Sequence, residues 1–347
     1  MNSILEWQRP ALGDPNHVPG RRGEQPVADP RGAAIVVHAA DGHGLGCWLW
    51  QHPKDAATRG VVVICPATSV QARFYSRFAQ YLHDHGFDVV TFDYRGIGGS
   101  RPASLRGFKA SAIDWGLLDL EAVLGFVREH FPGQPVDVVA HSIGGLVLGL
   151  APSSASYRRV FTVGAQFAYW RDYAPDLRRG MLAKWHVAMP LLTALLGYFP
   201  GKALGWLEDT PAGVVRDWCL RGPRFETTCY SACSRLGAEE RGQLAAGFAR
   251  VRAPILALSL SDDAFGTIAA IERLLGYFTA AHRSHLRLDP THFGAASVGH
   301  FRFFDEAFKN TLWPIALAWL RGEDATAEAN ALVEPQALPS AGWMTRR

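Results

Sequence analysis

The chain has 347 residues, 48% of them hydrophobic and 19% charged, with a formal net charge of +3. That length suits one large α/β domain with an insertion, or two small domains, and the composition is that of a globular enzyme, too apolar for disorder. The charge forms no concentrated basic stripe, so nucleic acid is not an expected partner.

Residues 1–32 lack the 7–15-residue apolar core of a signal peptide and read as a loose N-terminal segment. No stretch approaches the ~18 apolar residues of a membrane span. The five cysteines (Cys47, Cys65, Cys219, Cys229, Cys233) are odd in number and form no CxxC pair. Structural disulfides are therefore not expected, and a cytoplasmic location fits. The thirteen histidines read as scattered, so no metal is expected, and no cofactor.

In chain order, "AAIVVHAADGHGLGCWLW" predicts two antiparallel strands around an Asp41-Gly42 turn. "GVVVICPAT" predicts a buried strand, followed by the helical "RFYSRFAQYLHDHG", capped by Gly86. A strand "FDVVTFDYRG" and an amphipathic helix "DWGLLDLEAVLGFVREHF" come next. Then follow the strand "PVDVVAHS", the helix "IGGLVLGLAP" and the strand "VFTVGA". From residue 166 to 250 the alternation breaks, and it resumes with "APILALSLSDD", the helix "TIAAIERLLGYF" and the strand "HLRL". A final helix is expected over "FDEAFKNTLWPIALAWLRG", kinked at Pro314. The tail after Gly322 reads as loose. Alternating strands and helices imply a mostly parallel sheet covered on both faces.

The chemistry concentrates at one corner. Residues 140–144, Ala-His-Ser-Ile-Gly, are a version of the nucleophile elbow G-x-S-x-G. A turn from strand to helix this sharp requires small residues on either side of the serine, and it lifts the Ser142 hydroxyl above the sheet edge. There the helix N-terminus, beginning with the amide of Ile143, faces a developing oxyanion. Downstream, the strand "ILALSL" ends in Asp262 and Asp263, and two histidines follow "HLRL". The order Ser, Asp, His is that of this chemistry. His292 lies closer to the strand, with Asp289 nearby. His300 is the better base: Gly299 lets its backbone turn, and Phe301, Phe303 and Phe304 anchor its loop, so the imidazole is held rigidly.

"FDYRGIGGS", "AHSIGG" and "GHF" resemble segments of the α/β-hydrolase superfamily, and the resemblance runs from about residue 33 to 321. With "YRGIGGSRP", "LALSLSDDA", "LLGYFPGKALGW" and "VGHFRFF", the chain is most similar to a bacterial group of predicted α/β hydrolases close to serine aminopeptidase and monoglyceride-lipase-like domains. The resemblance implies an α/β-hydrolase fold: a core of residues 33–165 and 251–321, with a helical cap over 166–250. Its G-x-x-D pattern aligns Leu260 with the glycine and Asp263 with the acid, leaving Asp262 as the alternative. It also aligns Thr68, in "CPATSV", with the second oxyanion donor.

The cap stretch is rich in aromatics, among them Trp170, Trp185, Trp206 and Trp218. Most are expected to form its own core, and a minority to line an apolar acyl pocket. "HVAMPLLTALLGYF" is a candidate lid at a lipid interface. The expected function is hydrolysis of a small-molecule ester or thioester through an acyl-enzyme. The alternatives are acyl transfer by the same triad, or a non-catalytic binding protein of the same fold.

Overall fold

The computed structural model describes residues 32–226, 228 and 237–332. The expected loose N-terminal segment, apart from Gly32, lies outside the described residues, as do Cys229 and Cys233. Cys47, Cys65 and Cys219 are free thiols.

Strands β1 (Ala33–His38) and β2 (Gly44–Trp50) form the antiparallel hairpin predicted around Asp41-Gly42. Next come β3 (Val61–Cys65), α1 (Ser76–Asp84) and β4 (Asp88–Phe92). The following helix has α-wound ends, α2 (Ala112–Asp114) and α3 (Glu121–His130), around a π-wound middle, Trp115–Leu120. Then β5 (Val136–His141), α4 (Gly144–Leu150) and β6 (Tyr157–Val163) carry the chain to the middle of the sheet.

The insertion holds α5 (Arg178–Met181), α6 (Met189–Leu196), a ribbon of β7 (Tyr198–Phe199) and β8 (Thr210–Pro211), and α7 (Ala212–Cys219). After α8 (Ala238–Gly247), the sheet is completed by β9 (Ile255–Leu260), α9 (Ile268–Leu275) and β10 (Arg283–Leu288). Helices α10 (Trp313–Arg321) and α11 (Ala325–Leu332) close the described chain.

The eight-stranded sheet has the order β1-β2-β4-β3-β5-β6-β9-β10, parallel from β4 to β10, with β2 antiparallel to β4. The period of two along β3 divides the core. Val61, Val63 and Cys65 face one apolar cluster, with Leu124, Leu146 and Ile271 from α3, α4 and α9. Val62 and Ile64 face the other, with Phe78 of α1 and Trp313 of α10. Each fully buried Val or Ile contributes about 1.5–3 kcal/mol, which is why a strand as continuously apolar as β3 sits at the centre.

Three expectations are corrected. The last helix begins only at Trp313, after 3-10 turns at Arg302–Phe304 and Glu306–Phe308, and Pro314 lies in its first turn. Proline there loses no helical hydrogen bond, so it starts the helix instead of kinking it. The tail after Gly322 is not loose throughout: α11 buries Ala325 and Ala329 in the cluster that holds α10. The inserted stretch also does not pack as one body up to residue 250, because Phe225, Ala245 and Phe248 lie in the sheet's own core beside α4. A Cβ on Gly149 of α4 would lie 2.3 Å from Phe248, which shows how closely they pack.

Candidate active site

Strand β5 ends at His141 and helix α4 begins at Gly144, so Ser142 and Ile143 make the whole turn. Ser142 has φ 53°, a left-handed conformation that costs a non-glycine residue of order 1–3 kcal/mol. It is held there because its N–H donates to Val163 of β6 at 3.1 Å, and its carbonyl accepts from Gly145 N–H at 3.1 Å. Glycine is required at the next positions. A Cβ on Gly144 would lie 2.5 Å from the Cys65 carbonyl oxygen, and one on Gly145 2.5 Å from Ala165 Cβ.

The structure brings Ser142, Asp263 and His300 together. His300 Nε2 is 2.9 Å from Ser142 Oγ, and His300 Nδ1 is 2.7 Å from an Asp263 carboxylate oxygen. All three are buried. Burial pushes the Asp263 carboxyl up, but the neighbouring His300 and the amides of Gly266 and Phe265 outweigh it and hold the group below its usual range. Gly164, at the end of β6, leaves room for the pair: a Cβ there would lie 2.9 Å from the Asp263 carboxylate and 3.1 Å from His300 Nδ1.

The two alternatives fall elsewhere. Asp262 accepts hydrogen bonds from Ser297 Oγ (2.8 Å), Val298 N–H (2.8 Å) and Gly299 N–H (2.9 Å), so it pins the loop that carries His300. His292 lies in an outer 3-10 turn, Pro290–Phe293, where the nearby Asp289 caps Thr291.

The amides of Ile143 and Thr68 have no hydrogen-bond partner among the described residues. They stand beyond the paired strand ends Ala140 and Cys65. The neighbouring Ala67 N–H is taken: it donates to Tyr75 Oη at 2.8 Å. Tyr75 Oη in turn donates to His141 Nδ1 (2.8 Å), and His141 Nε2–H donates to the His300 carbonyl (2.8 Å). Burial first, and the neighbouring His300 second, lower the His141 pKa to about 3, so this ring is neutral and both its nitrogens are used. One buried chain of hydrogen bonds thus ties the loop after β3, the strand before Ser142 and the loop of His300 together. Sequence reasoning missed Tyr75 and this role of His141. A histidine at the fully buried end of β5 is the one available signal.

The "FDYRGIGGS" segment braces the same region, since Asp93 accepts from the amides of Ala72 (2.6 Å) and Gly99 (2.7 Å). From the other side, the insertion's aromatic cluster of Tyr173, Trp185 and Trp218 includes Phe265, whose ring lies 5.0 Å from that of His300. The insertion also grips the loop after β3: Ser69 Oγ lies 2.5 Å from Thr210 Oγ1, and Glu208 N–H donates to the Ser69 carbonyl. Met189 and Thr193 of α6 are buried, whereas Leu191 and Leu195 are 61% and 81% exposed. No helix among the described residues is long and apolar enough to cross a membrane.

A model of the family described as serine aminopeptidase, S33, matches residues 56–224. The chain has the α/β-hydrolase fold. The matched stretch includes Thr68 and Ser142 and stops before Asp263 and His300. An uncharacterized protein of Mycobacterium tuberculosis is 35% identical over 168 residues, 43% of this chain and 57% of its own length. The chain thus spans just over half of that curated relative. Among solved structures, a soluble variant of monoglyceride lipase from Saccharomyces cerevisiae superposes with a TM-score of 0.57. It shares 15% identity, over 82% of this chain and 94% of the lipase. A thermostable carboxyl esterase from Bacillus coagulans gives 0.53 at 14% identity, over 84% and 98%.

Proposed function

We propose that this chain is a serine hydrolase that cleaves a carboxylic ester or thioester, with Ser142 as nucleophile, His300 as base and Asp263 as the acid that orients it. The observation carrying this reading is the imidazole of His300, within 2.9 Å of Ser142 Oγ and 2.7 Å of Asp263. Both distances are those of working hydrogen bonds in an activated serine.

The steps follow from the groups present. Ser142 Oγ attacks the carbonyl carbon as its proton passes to His300 Nε2, and Asp263 stabilises the imidazolium through Nδ1–H. The oxyanion forms against the amides of Ile143 and Thr68, each of which lacks a partner among the described residues, so no bond there must be broken to receive it. His300 then gives the proton to the leaving alcohol or thiol, and water, deprotonated by the same ring, releases the acid. In this reading the segment from residue 166 acts as a cap over the acyl pocket, and the exposed Leu191 and Leu195 form its lipid-facing edge. The substrate is a small molecule with an apolar acyl group.

The test is fluorophosphonate labelling, followed by hydrolysis of nitrophenyl esters of increasing chain length. Labelling is expected in the wild type and absent in Ser142→Ala. Ser142→Ala and His300→Ala are expected to lose turnover by similar factors of several orders of magnitude, because triad members act as a unit. His292→Ala is expected to lose far less. Labelling that persists in Ser142→Ala removes Ser142 from the mechanism, and preferential transfer of the acyl group to an added alcohol makes the enzyme an acyltransferase.

A further inference from the structure

At the opposite, amino-terminal edge of the parallel strands, three elements bring together a second group of chemistry-bearing side chains. His52 follows β2, His83 lies in the last turn of α1, and Asp88 opens β4. One ligand atom from each lies within 4.8 Å of the others, the only such group of His, Cys, Asp and Glu among the described residues. This edge is a strand length from the serine, roughly 17 Å for five residues. The hydrolytic chemistry uses none of the three. The sequence reading also passed over His83-Asp84-His85, a histidine pair at ligand spacing. His85 does not join the group, because its Nδ1–H donates to the Tyr81 carbonyl at 2.6 Å.

We propose that His52, His83 and Asp88 form a binding site for a divalent transition cation with the ligand preferences of zinc. Asp88 is 2% exposed, yet no lysine or arginine forms an ion pair with it among the described residues. Its donors are the backbone N–H of His52 (2.8 Å), His52 Nδ1–H (3.1 Å) and Gln134 Nε2 (3.3 Å). A buried carboxylate without a fixed cation is costly, and a bound cation supplies the missing charge. Gln134 adds a second acceptor there: its Oε1 is buried and has no partner.

The imidazoles are prepared for ligation. His83 Nδ1–H points to the Phe87 carbonyl at 3.3 Å, which fixes the tautomer and leaves the Nε2 lone pair free, the usual outer-shell arrangement of a metal-ligating histidine. His52 Nδ1 and Asp88 Oδ1, 3.1 Å apart, subtend about 100° at a zinc bonded at ~2.0–2.1 Å, near the tetrahedral angle. His83 completes the set when its ring closes to the ~3.3 Å ligand spacing. His52 and Asp88 also line, with His130 and Gln134, a cavity of about 460 Å³, which gives a hydrated ion access to two of the three ligands. Zinc takes the place of the His52 Nδ1 proton, which moves to Nε2 of the same ring, so His52 binds as a neutral imidazole.

The test is a zinc titration of the untagged, chelator-stripped full chain against a chromophoric chelator, with calorimetry in two buffers of different ionisation enthalpy. One zinc per chain is expected in both buffers. His83→Gln and His52→Gln should each weaken binding at least about tenfold, whereas His38→Gln, an exposed control, should leave it unchanged. Asp88→Asn should also lose affinity, and the His83 variant keeps the test decisive where that change impairs folding. Wild-type affinity in His83→Gln, or no zinc held against the chelator, overturns the proposal.

Discussion

Replacing Tyr75 by phenylalanine removes one oxygen from the middle of the buried chain that joins the loop after β3 to the loop of His300. The ring itself stays packed against Phe74 and Phe304, at centroid distances of 5.1 and 4.8 Å, so the change is nearly one of polarity alone. Two groups lose their partner at once: Ala67 N–H, which donates to Tyr75 Oη, and His141 Nδ1, which accepts from it. Each buried orphan costs about 1–3 kcal/mol, so a loss of about 2–6 kcal/mol is expected, with the lower half favoured because the ring still packs. At about 2–4 °C per kcal/mol for a large domain, the melting temperature should fall by roughly 4–16 °C. The assay is urea unfolding at pH 7.5, read by tryptophan fluorescence, alongside kcat and KM on a short nitrophenyl ester. Because Thr68 adjoins Ala67 and His141 holds the His300 carbonyl, kcat should fall more than KM rises. A Tyr75→Phe protein within about 0.5 kcal/mol of wild type, the size of an ordinary surface change, would refute the role given to this network.

The two adjacent aspartates separate by assay. Asp263→Asn should lower kcat by about 10⁴ through loss of the correct His300 tautomer, whereas Asp262→Asn, which loosens only the loop, should cost stability and far less turnover. Acid should destabilise the fold in a defined window. The His141 pKa is about 3 when folded and 6.5 as a free side chain, so the unfolded chain binds the extra proton and stability falls as pH drops below 6.5. The loss attributable to His141 is about 2 kcal/mol by pH 5, on the scale of 1.36 kcal/mol per pKa unit. His285, lowered to about 4 by burial, adds a slope of the same sign. Urea titrations across pH 5–7.5 should therefore be shallower for His141→Gln, and equal slopes would contradict a neutral buried ring. Gly144→Ala should give little folded protein by circular dichroism, because its Cβ would lie 2.5 Å from the Cys65 carbonyl oxygen, and normal expression and activity would show the elbow to be looser than drawn.

Local and periodic features were legible from residue order alone. The buried run of β3, the Asp41-Gly42 hairpin and the small residues around Ser142 each constrain a few neighbouring positions, and their physics is complete within a short window. The candidate nucleophile, acid and base were legible for a related reason, since a parallel sheet delivers the residues after each strand to one edge. Tertiary contacts decided what lies between distant segments. Nothing near Tyr75 announces a partner 66 positions away at His141, or at the carbonyl of His300 beyond it. The choice between Asp262 and Asp263 likewise depended on which carboxylate faces the imidazole and which faces the loop amides. Pro314 has the same identity at a helix start as in a kink, and only the packing of Trp313 on the Phe303 carbonyl (2.7 Å) selects the start. His52, His83 and Asp88 share no spacing that marks them as a group. They meet because β2 runs antiparallel to β4 and α1 ends beside both, a relation set by the packing of the sheet and absent from any one stretch of chain.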